Sequence, residues 1–247
     1  MKFLIGLALI LLGAHAVPTA AALQQPVPFS AQAPGGKLPD GWTVTTVSGI
    51  PRATQFDLVK DGDTVALRAI ADAAAASLTY KLQVDPLHRP WLRWRWKVSR
   101  VVEHGDLSSK EGDDYAARIY VFFDYDISRL PFLTRSKFAL ARALFGSDLP
   151  AATLCYVWDN HYPVNTSTWS AYTDRVRMIV VESGPAKLGQ WIAERRDVAA
   201  DFRAAFGEEP PAISGIAVAA DTDNTGESVV SLFGDLVFHT VQPAGER

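Results

Sequence analysis

Residues 91–98 read WLRWRWKV. In an extended chain successive side chains point to opposite faces. Leu92, Trp94, Trp96 and Val98 therefore fall on one side and Arg93, Arg95 and Lys97 on the other. A helix would spread both sets around its axis, whereas a strand separates them. The segment commits the chain to a β-sheet with an aromatic, dry face and a cationic, wet one. Further strand-length segments are predicted at 42–47, 54–59, 64–70, 78–84, 116–123, 153–158, 175–181, 213–219 and 229–238. Turn chemistry such as KDGD and VDPLHRP separates many of them. Many short strands with few helices indicate a mainly β sandwich or barrel.

Two segments break the pattern and predict peripheral helices. In LTRSKFALARALFGSD, Thr134 is an N-cap candidate, Gly146 a stop, and Phe138, Ala141, Leu144 and Phe145 share a face. In KLGQWIAERRDVAADFRAAFGEEPP, Trp191, Val198, Phe202 and Phe206 recur at helical spacing, and Gly207 with Pro210 ends the run.

The chain opens with Lys2, an apolar run over 3–12 and small residues around 14–16 and 20–22. This has the form of a cleavable export signal, and the run is too short to span a bilayer comfortably. The expected organisation is a signal peptide at 1–22, a Pro/Gly-rich lead-in at 23–41 and one β-sandwich domain at 42–241. The expected location is periplasmic or secreted, with no membrane span after processing. The formal net charge is −3, and loss of Lys2 makes it more negative, which argues against general nucleic-acid binding. Cys155 is the single cysteine, so no intrachain disulfide forms. Its apolar setting, ATLCYVW, reads as a buried, inert thiol.

Two more strands repeat the alternation. Ala117, Ile119, Val121 and Phe123 make one face against Asp114, Arg118, Tyr120 and Phe122. Val176, Met178 and Val180 alternate with Arg175 and Arg177. If these strands share a sheet with 91–98, its outer face is a field of cations, with Asp114, Asp124 and Glu182 as counter-charges. A solvated sheet face explains the pattern equally simply. The functional alternative is a surface for an anion or a sugar, because arginine forks match carboxylate, sulfate and phosphate. The stretch VWDNHYPVNTSTWSAYTDR reads as a polar loop crowded with Trp158, His161, Tyr162, Trp169 and Tyr172. Such a loop suits sugar rings, or is pinned by its own aromatic cluster.

AADTDNTGES raises a metal question. Asp221, Asp223, Thr225 and Gly226 match the opening of a calcium loop, but Leu232 stands where a bidentate Glu belongs. A polar hairpin turn accounts for it. The alternative is a structural calcium completed by Asp235. No cofactor is otherwise expected. Asp113, Asp114, Glu182, Asp221 and Asp223 are carboxylates that a glycosidase would need, and Arg118 with Tyr120 or His161 with Tyr162 could serve a lyase. No nucleophile elbow, phosphate loop, HExxH or Cys/His cluster occurs.

The motifs LRWRWKV, KEGDDYAARIYVFF, MIVVESG, WIAERRDV with FRAAFGEEPPAISGIAV, and DTDNTGESVVSLFGDLVF occur in that order. Together they resemble the bacterial domain-of-unknown-function 3047 family, over residues 41–238. DISRLPFLTRSKFALARALFGSDLP departs from it by being longer and more helical. The resemblance implies an exported protein with a jelly-roll β-sandwich, similar to galactose-binding-like and carbohydrate-binding modules. It implies no activity and no catalytic residue. The family's polar motif positions correspond to Lys110, Asp113, Asp114, Arg118, Glu182, Arg196, Asp197, Asp221, Asp223 and Asp235. The expectation is a protein that binds a carbohydrate or other anionic ligand through Arg93, Arg95, Lys97, Asp114, Arg118, Tyr120, Trp158, His161, Tyr162, Trp169, Arg177 and Glu182. A polysaccharide lyase or glycoside hydrolase, and a structural partner of an envelope protein, are the alternatives.

Overall fold

A computed structural model describes residues 25–132, 134–136 and 150–240. The export signal and, beyond residue 136, the helix expected between Thr134 and Gly146 lie outside the described residues. The strands are β1 (Trp42–Thr46), β2 (Gln55–Asp61), β3 (Thr64–Asp72), β4 (Ala75–Val84), β5 (Trp91–Val98), β6 (Ala117–Phe123), β7 (Thr153–Asp159), β8 (Ser167–Ser170), β9 (Thr173–Ser183), β10 (Ile192–Asp197), β11 (Ile213–Asp221), β12 (Ser228–Phe233) and β13 (Val237–His239). They form two sheets packed face to face, a β-sandwich. One has the order β1-β4-β11-β6-β7-β9-β8. The other runs β10-β5-β12-β3-β2, with β13 also on β5. All pairs are antiparallel except β7 with β9, which is parallel.

The aromatic face of β5 is the centre of the core. Trp94 stacks on Tyr156 of the facing sheet at 5.4 Å, and Trp96 meets Trp158 at 5.9 Å. Leu92, Val98, Ile119, Val121, Phe123, Leu154, Val218 and Phe233 fill the same layer, buried throughout. Burying a large apolar side chain contributes roughly 1.5–3 kcal/mol, so this layer carries most of the favourable term. A second, smaller cluster lies on the far side of the seven-stranded sheet, where Leu107, Tyr115, Cys155, Val157, Met178 and Val180 pack beneath the chain preceding β6. Cys155 is buried there as expected, and burial pushes its thiol pKa upward.

The lead-in is tied to the sandwich from Gln25 onward. Phe29 is fully buried, Trp42 Nε1 donates to the Val27 carbonyl, and Gln25 exchanges hydrogen bonds with the Phe238 backbone. The helix expected around Trp191 begins later, at α1 (Val198–Phe206). Asp197 caps it by accepting from the Ala200 N–H, and Gly207 closes it at φ 71°. Residues 192–197 instead form β10, paired with β5. The segment 229–238 is broken at Gly234–Leu236 into β12 and β13. Among the described residues no helix is long and apolar enough to cross a membrane.

Candidate functional site

The expected ligand residues are not on one surface. The chain crosses between sheets after β5, so β5 belongs to the six-stranded sheet while β6 and β9 belong to the other. The residues fall into three places.

The first is the outer face of the six-stranded sheet. Arg93, Arg95 and Lys97 project there from β5. The strand β10, missed in the sequence because it reads as the start of a helix, adds Arg195 directly opposite Arg93. Like charges directly opposite on antiparallel strands repel. The guanidinium of Arg95 lies 4.6 Å from the Trp191 ring and that of Arg195 lies 5.3 Å from Trp91. Trp91 and Arg95 belong to β5, and Arg195 to β10, which Trp191 immediately precedes, so each indole faces an arginine across the strand pair. Gly234 makes room for this, since a Cβ there would come within 2.5 Å of Arg95 Cγ. Asp61 answers Lys97, accepting from Nζ at 2.9 Å, and also accepts from Trp191 Nε1 at 2.6 Å. Those hydrogen bonds, Lys97 first, hold the Asp61 carboxyl below its usual range. Among the described residues neither Arg95 nor Arg195 meets a carboxylate at salt-bridge distance.

The second place is the far side of the seven-stranded sheet. Here the expectation for Arg118 is corrected. It does point away from the main core, but it is only 2% exposed. Its Nε and Nη2 grip the two oxygens of Asp221 at 2.9 and 2.8 Å. Nη1 donates to Asp113 and to the Tyr120 hydroxyl at 3.2 Å each, Nη2 also donates to the Asp113 carbonyl, and the guanidinium covers the Tyr115 ring at 4.3 Å. Asp221 additionally accepts from the Tyr115 N–H, and Asp114 accepts from the Thr225 N–H at 2.6 Å. This is a knot that ties residues 113–115, β6 and the 222–227 connection together, with no face free for a ligand. Asp114, buried inside it, is removed from the ligand set for the same reason. Asp113 and Asp221 share one guanidinium, with Asp114 and Asp223 near enough to add like charge. Burial is the first cause that raises Asp113, Asp223 and Asp221, the last to about 7, with like charges adding to it and Arg118 opposing. The two-pronged grip on Arg118 opposes that rise at Asp221. The raised titration is a property of the coupled cluster rather than of that one carboxyl.

The 222–227 segment is not a hairpin turn, because β11 and β12 lie in different sheets. It is a crossover, closed by Gly226 at φ 72° with its N–H on the Thr222 carbonyl. Asp235 lies beyond the other end of β12, where it accepts from the Ser30 N–H and hydroxyl. Six residues of strand, roughly 20 Å, separate it from Asp221 and Asp223, so the three do not meet. Among the described residues no group of three His, Cys, Asp or Glu side chains is placed to hold a metal ion. On the same side of the sheet Tyr120 stacks against Phe122 at 6.0 Å, Tyr162 reaches Asp106 at 3.3 Å, and His161 lies against Tyr162 at 4.3 Å.

The third place is the rim between the sheets at β8, β9 and β10. The expected outward face of β9 is reversed. Ile179 and Val181 enter the main core, and Arg175 and Arg177 share their side of the strand. β9 and β8 form an edge of their sheet, so these arginines sit at the rim and not in the core. Arg177 lies 4.9 Å from the Trp169 ring and donates to Ser167. Trp169 in turn meets Phe206 of α1, so it shares no cluster with His161 and Tyr162, and Trp158 is buried in the core. Glu182 accepts from Lys187 Nζ at 2.6 Å. Facing it from β10 are Glu194 and Arg196, which point inward beside Trp94 and Leu92. Arg196 grips Asp201 with two nitrogens and reaches Asn165 at 3.1 Å.

Loose structural likeness, at TM-scores of 0.43 and below, extends to three solved β proteins. The xyloglucanase domain of NopAA, a type three effector from Sinorhizobium fredii solved with cellobiose, is 9% identical, with 85% of this chain and 97% of that one covered and a TM-score of 0.43. The cellulose-induced protein Cip1 is 10% identical, with 83% and 94% covered and a TM-score of 0.33. Endoglucanase 3 of Trichoderma harzianum, from family GH12, is 6% identical, with 82% and 99% covered and a TM-score of 0.32. No curated protein matches in sequence. The model of the protein family of unknown function DUF3047 matches residues 40–237, which include every strand of both sheets from β1 to the first residue of β13, and the chain belongs to that family.

Proposed function

We propose that this is an exported glycan-binding protein that takes an anionic carbohydrate on the outer face of the six-stranded sheet. The observation that carries this is the pairing of Arg95 with Trp191 and of Arg195 with Trp91, beside Arg93 and Lys97. Stacking fixes each guanidinium plane and leaves its N–H edge for a planar, two-pronged acceptor. A uronate carboxylate fits such an edge, and the indoles offer flat apolar surface to sugar C–H groups. The pattern of cations stacked on indoles distinguishes this face from an ordinary wet one.

A hexamer of galacturonate is expected to bind, and its carboxyl-reduced counterpart to bind at least tenfold more weakly. Arg95→Ala should keep the fold and lower affinity about tenfold to a hundredfold, the worth of one charge-assisted hydrogen bond pair. Binding should weaken with added salt. Titration calorimetry at two salt concentrations reads all three. Equal affinity for both hexamers would defeat the anionic preference, and no binding of either would move the envelope-partner alternative ahead. Export is part of the proposal and rests on the first 22 residues. The intact mass of the native protein is expected to correspond to a chain beginning between Val17 and Leu23, and a mass retaining Met1 to Ala16 would defeat it.

A further inference from the structure

The inward side of the free edge of β10 holds chemistry that binding alone does not use. β10 is the outermost strand of its sheet, and Ile192, Glu194 and Arg196 turn toward the facing sheet, in register with Trp96, Trp94 and Leu92. A carboxyl group on the dry side of a strand is unusual. Oε1 of Glu194 is buried without a hydrogen-bond partner. Trp96 is fully buried, and its Nε1 lies beside Glu194, close enough to oppose the rise in its pKa, without closing a hydrogen bond to it. Trp94 Nε1 is likewise buried and unpartnered. Glu194 as a whole is only half-buried, so part of the residue reaches solvent at this edge. Across from it Glu182 is locked into an ion pair, with Oε2 on Lys187 Nζ at 2.6 Å and Oε1 on the Ser183 N–H at 3.0 Å. Lys187 and Arg196 complete the charged group around Glu194, and Arg196 reaches Asn165 at 3.1 Å.

We propose that this cluster at the β10 edge cleaves glycosidic bonds, with Glu194 as the proton donor and the ion-paired Glu182 as the fixed negative charge. Burial, and then the charge of Glu182, push Glu194 up to about 7, with Trp96, Lys187 and Arg196 opposing. A carboxylic acid that keeps its proton near neutrality beside a carboxylate that has lost its own is the division of labour glycoside cleavage requires. The proton of Glu194 passes to the glycosidic oxygen as the bond from that oxygen to the anomeric carbon breaks. A water oxygen then bonds to the anomeric carbon, and its proton returns to the Glu194 carboxylate. Glu182 stays ionised and offsets the positive charge that builds on the ring. Nothing is oxidised or reduced, and water is the only co-reactant. The inference rests on the carbohydrate reading. The Arg95–Trp191 and Arg195–Trp91 pairs lie on the other side of the same β5–β10 ribbon, so a chain held there and turning over the β10 edge comes to the side that carries Glu194.

The test uses the full mature chain with the galacturonate hexamer and its carboxyl-reduced counterpart, following release of new reducing ends. Wild type is expected to release them from a hexamer it binds. Glu194→Gln should abolish release by at least a thousandfold while changing affinity less than threefold. A second readout does not depend on turnover. The carboxyl carbon of Glu194, followed by NMR, should titrate near neutrality in wild type and at lower pH in Glu182→Gln, because a like charge has been removed. Binding without cleavage by wild type, cleavage retained in Glu194→Gln, or a Glu194 midpoint in the ordinary carboxyl range would each overturn the catalytic inference and leave the binding proposal standing. Absence of binding to both hexamers would remove the two together.

Discussion

Arg118→Ala is expected to cost the fold about 3–5 kcal/mol, the loss seen when one partner of a buried ion pair is removed. Wild-type stability of a single domain is typically about 5–15 kcal/mol, so the variant should be marginal at 25 °C. The cost is not the loss of five hydrogen bonds as such. It is the charge left behind. Asp221 and Asp113 face Arg118 from opposite sides, with side chains 14% and 18% exposed, and Asp114 is buried beside them. Without the guanidinium these groups must take up protons or draw in water, and both loosen the chain at 113–115 and 222–227. Arg118→Lys should recover only part of the loss. A single ammonium is a point charge and cannot span Asp113 and Asp221 as the planar fork does. Urea unfolding of the three proteins measures this. A change below about 0.5 kcal/mol for Arg118→Ala, the usual size for an open surface site, would return Arg118 to the list of ligand residues.

Arg118 also marks where the sequence stops being legible. Period-two alternation places it opposite the core, and that much is correct. Alternation has no means of saying that a second layer covers the opposite face. The available signal was the excess of carboxylates in the motifs, with Asp113 and Asp114 five and four positions upstream and Asp221 and Asp223 far downstream. A cation with that many acids in its own family motifs is more readily a knot than an anion site. The strands themselves were legible because each carries enough apolar alternation to fix its inner face. Sheet membership was not, since nothing local in β5 or β6 says which neighbour each will find.

The error at β10 had a different cause. IAERRD has no apolar stripe, and its inward residues include Glu194 and Arg196. Pattern alone assigns such a segment to the helix that follows it, whose Val198 and Phe202 are periodic and buried. The strand exists because β5, about 95 residues earlier, offers an open edge. Hidden with it were Arg195, which completes the cationic face, and Glu194, which no outward-polar rule would place inside. Asp197 was the usable clue, an N-cap residue that sets the helix start six residues after Trp191. β8 was missed because its four residues, Ser167, Thr168, Trp169 and Ser170, read as loop, and its pairing with β9 decides that Trp169 and Arg177 share a side.

Stability is expected to fall as pH rises from 5 to 8, opposite to the trend of proteins held mainly by ionised surface acids. The groups responsible are Asp113, Asp221 and Asp223 around Arg118, and Glu194, with Asp221 and Glu194 each raised to about 7. An acid whose pKa is higher in the folded state binds its proton more tightly there. It contributes fully below its unfolded value, roughly 4, and the contribution is lost as pH climbs through the folded value. A rise of about three pH units in a single group corresponds to roughly 4 kcal/mol. Coupling within the cluster and the pull of Arg118 reduce that, so the net change between pH 5 and 8 should be on the order of 2–4 kcal/mol. Below about pH 4 the slope reverses, because Asp61 and Glu227 have lowered values and lose their hydrogen-bonded charge there. The melting temperature should therefore peak near pH 5. Asp223→Asn removes one like charge from the cluster and should flatten its part of the slope without lowering stability at pH 8. Glu194→Gln should flatten the remainder, and the two effects should add, since the groups sit on opposite sides of the seven-stranded sheet. Thermal scans of the four proteins across pH 4–8 decide it. A melting temperature that rises from pH 5 to 8 would mean that Arg118 alone holds all of these carboxylates ionised.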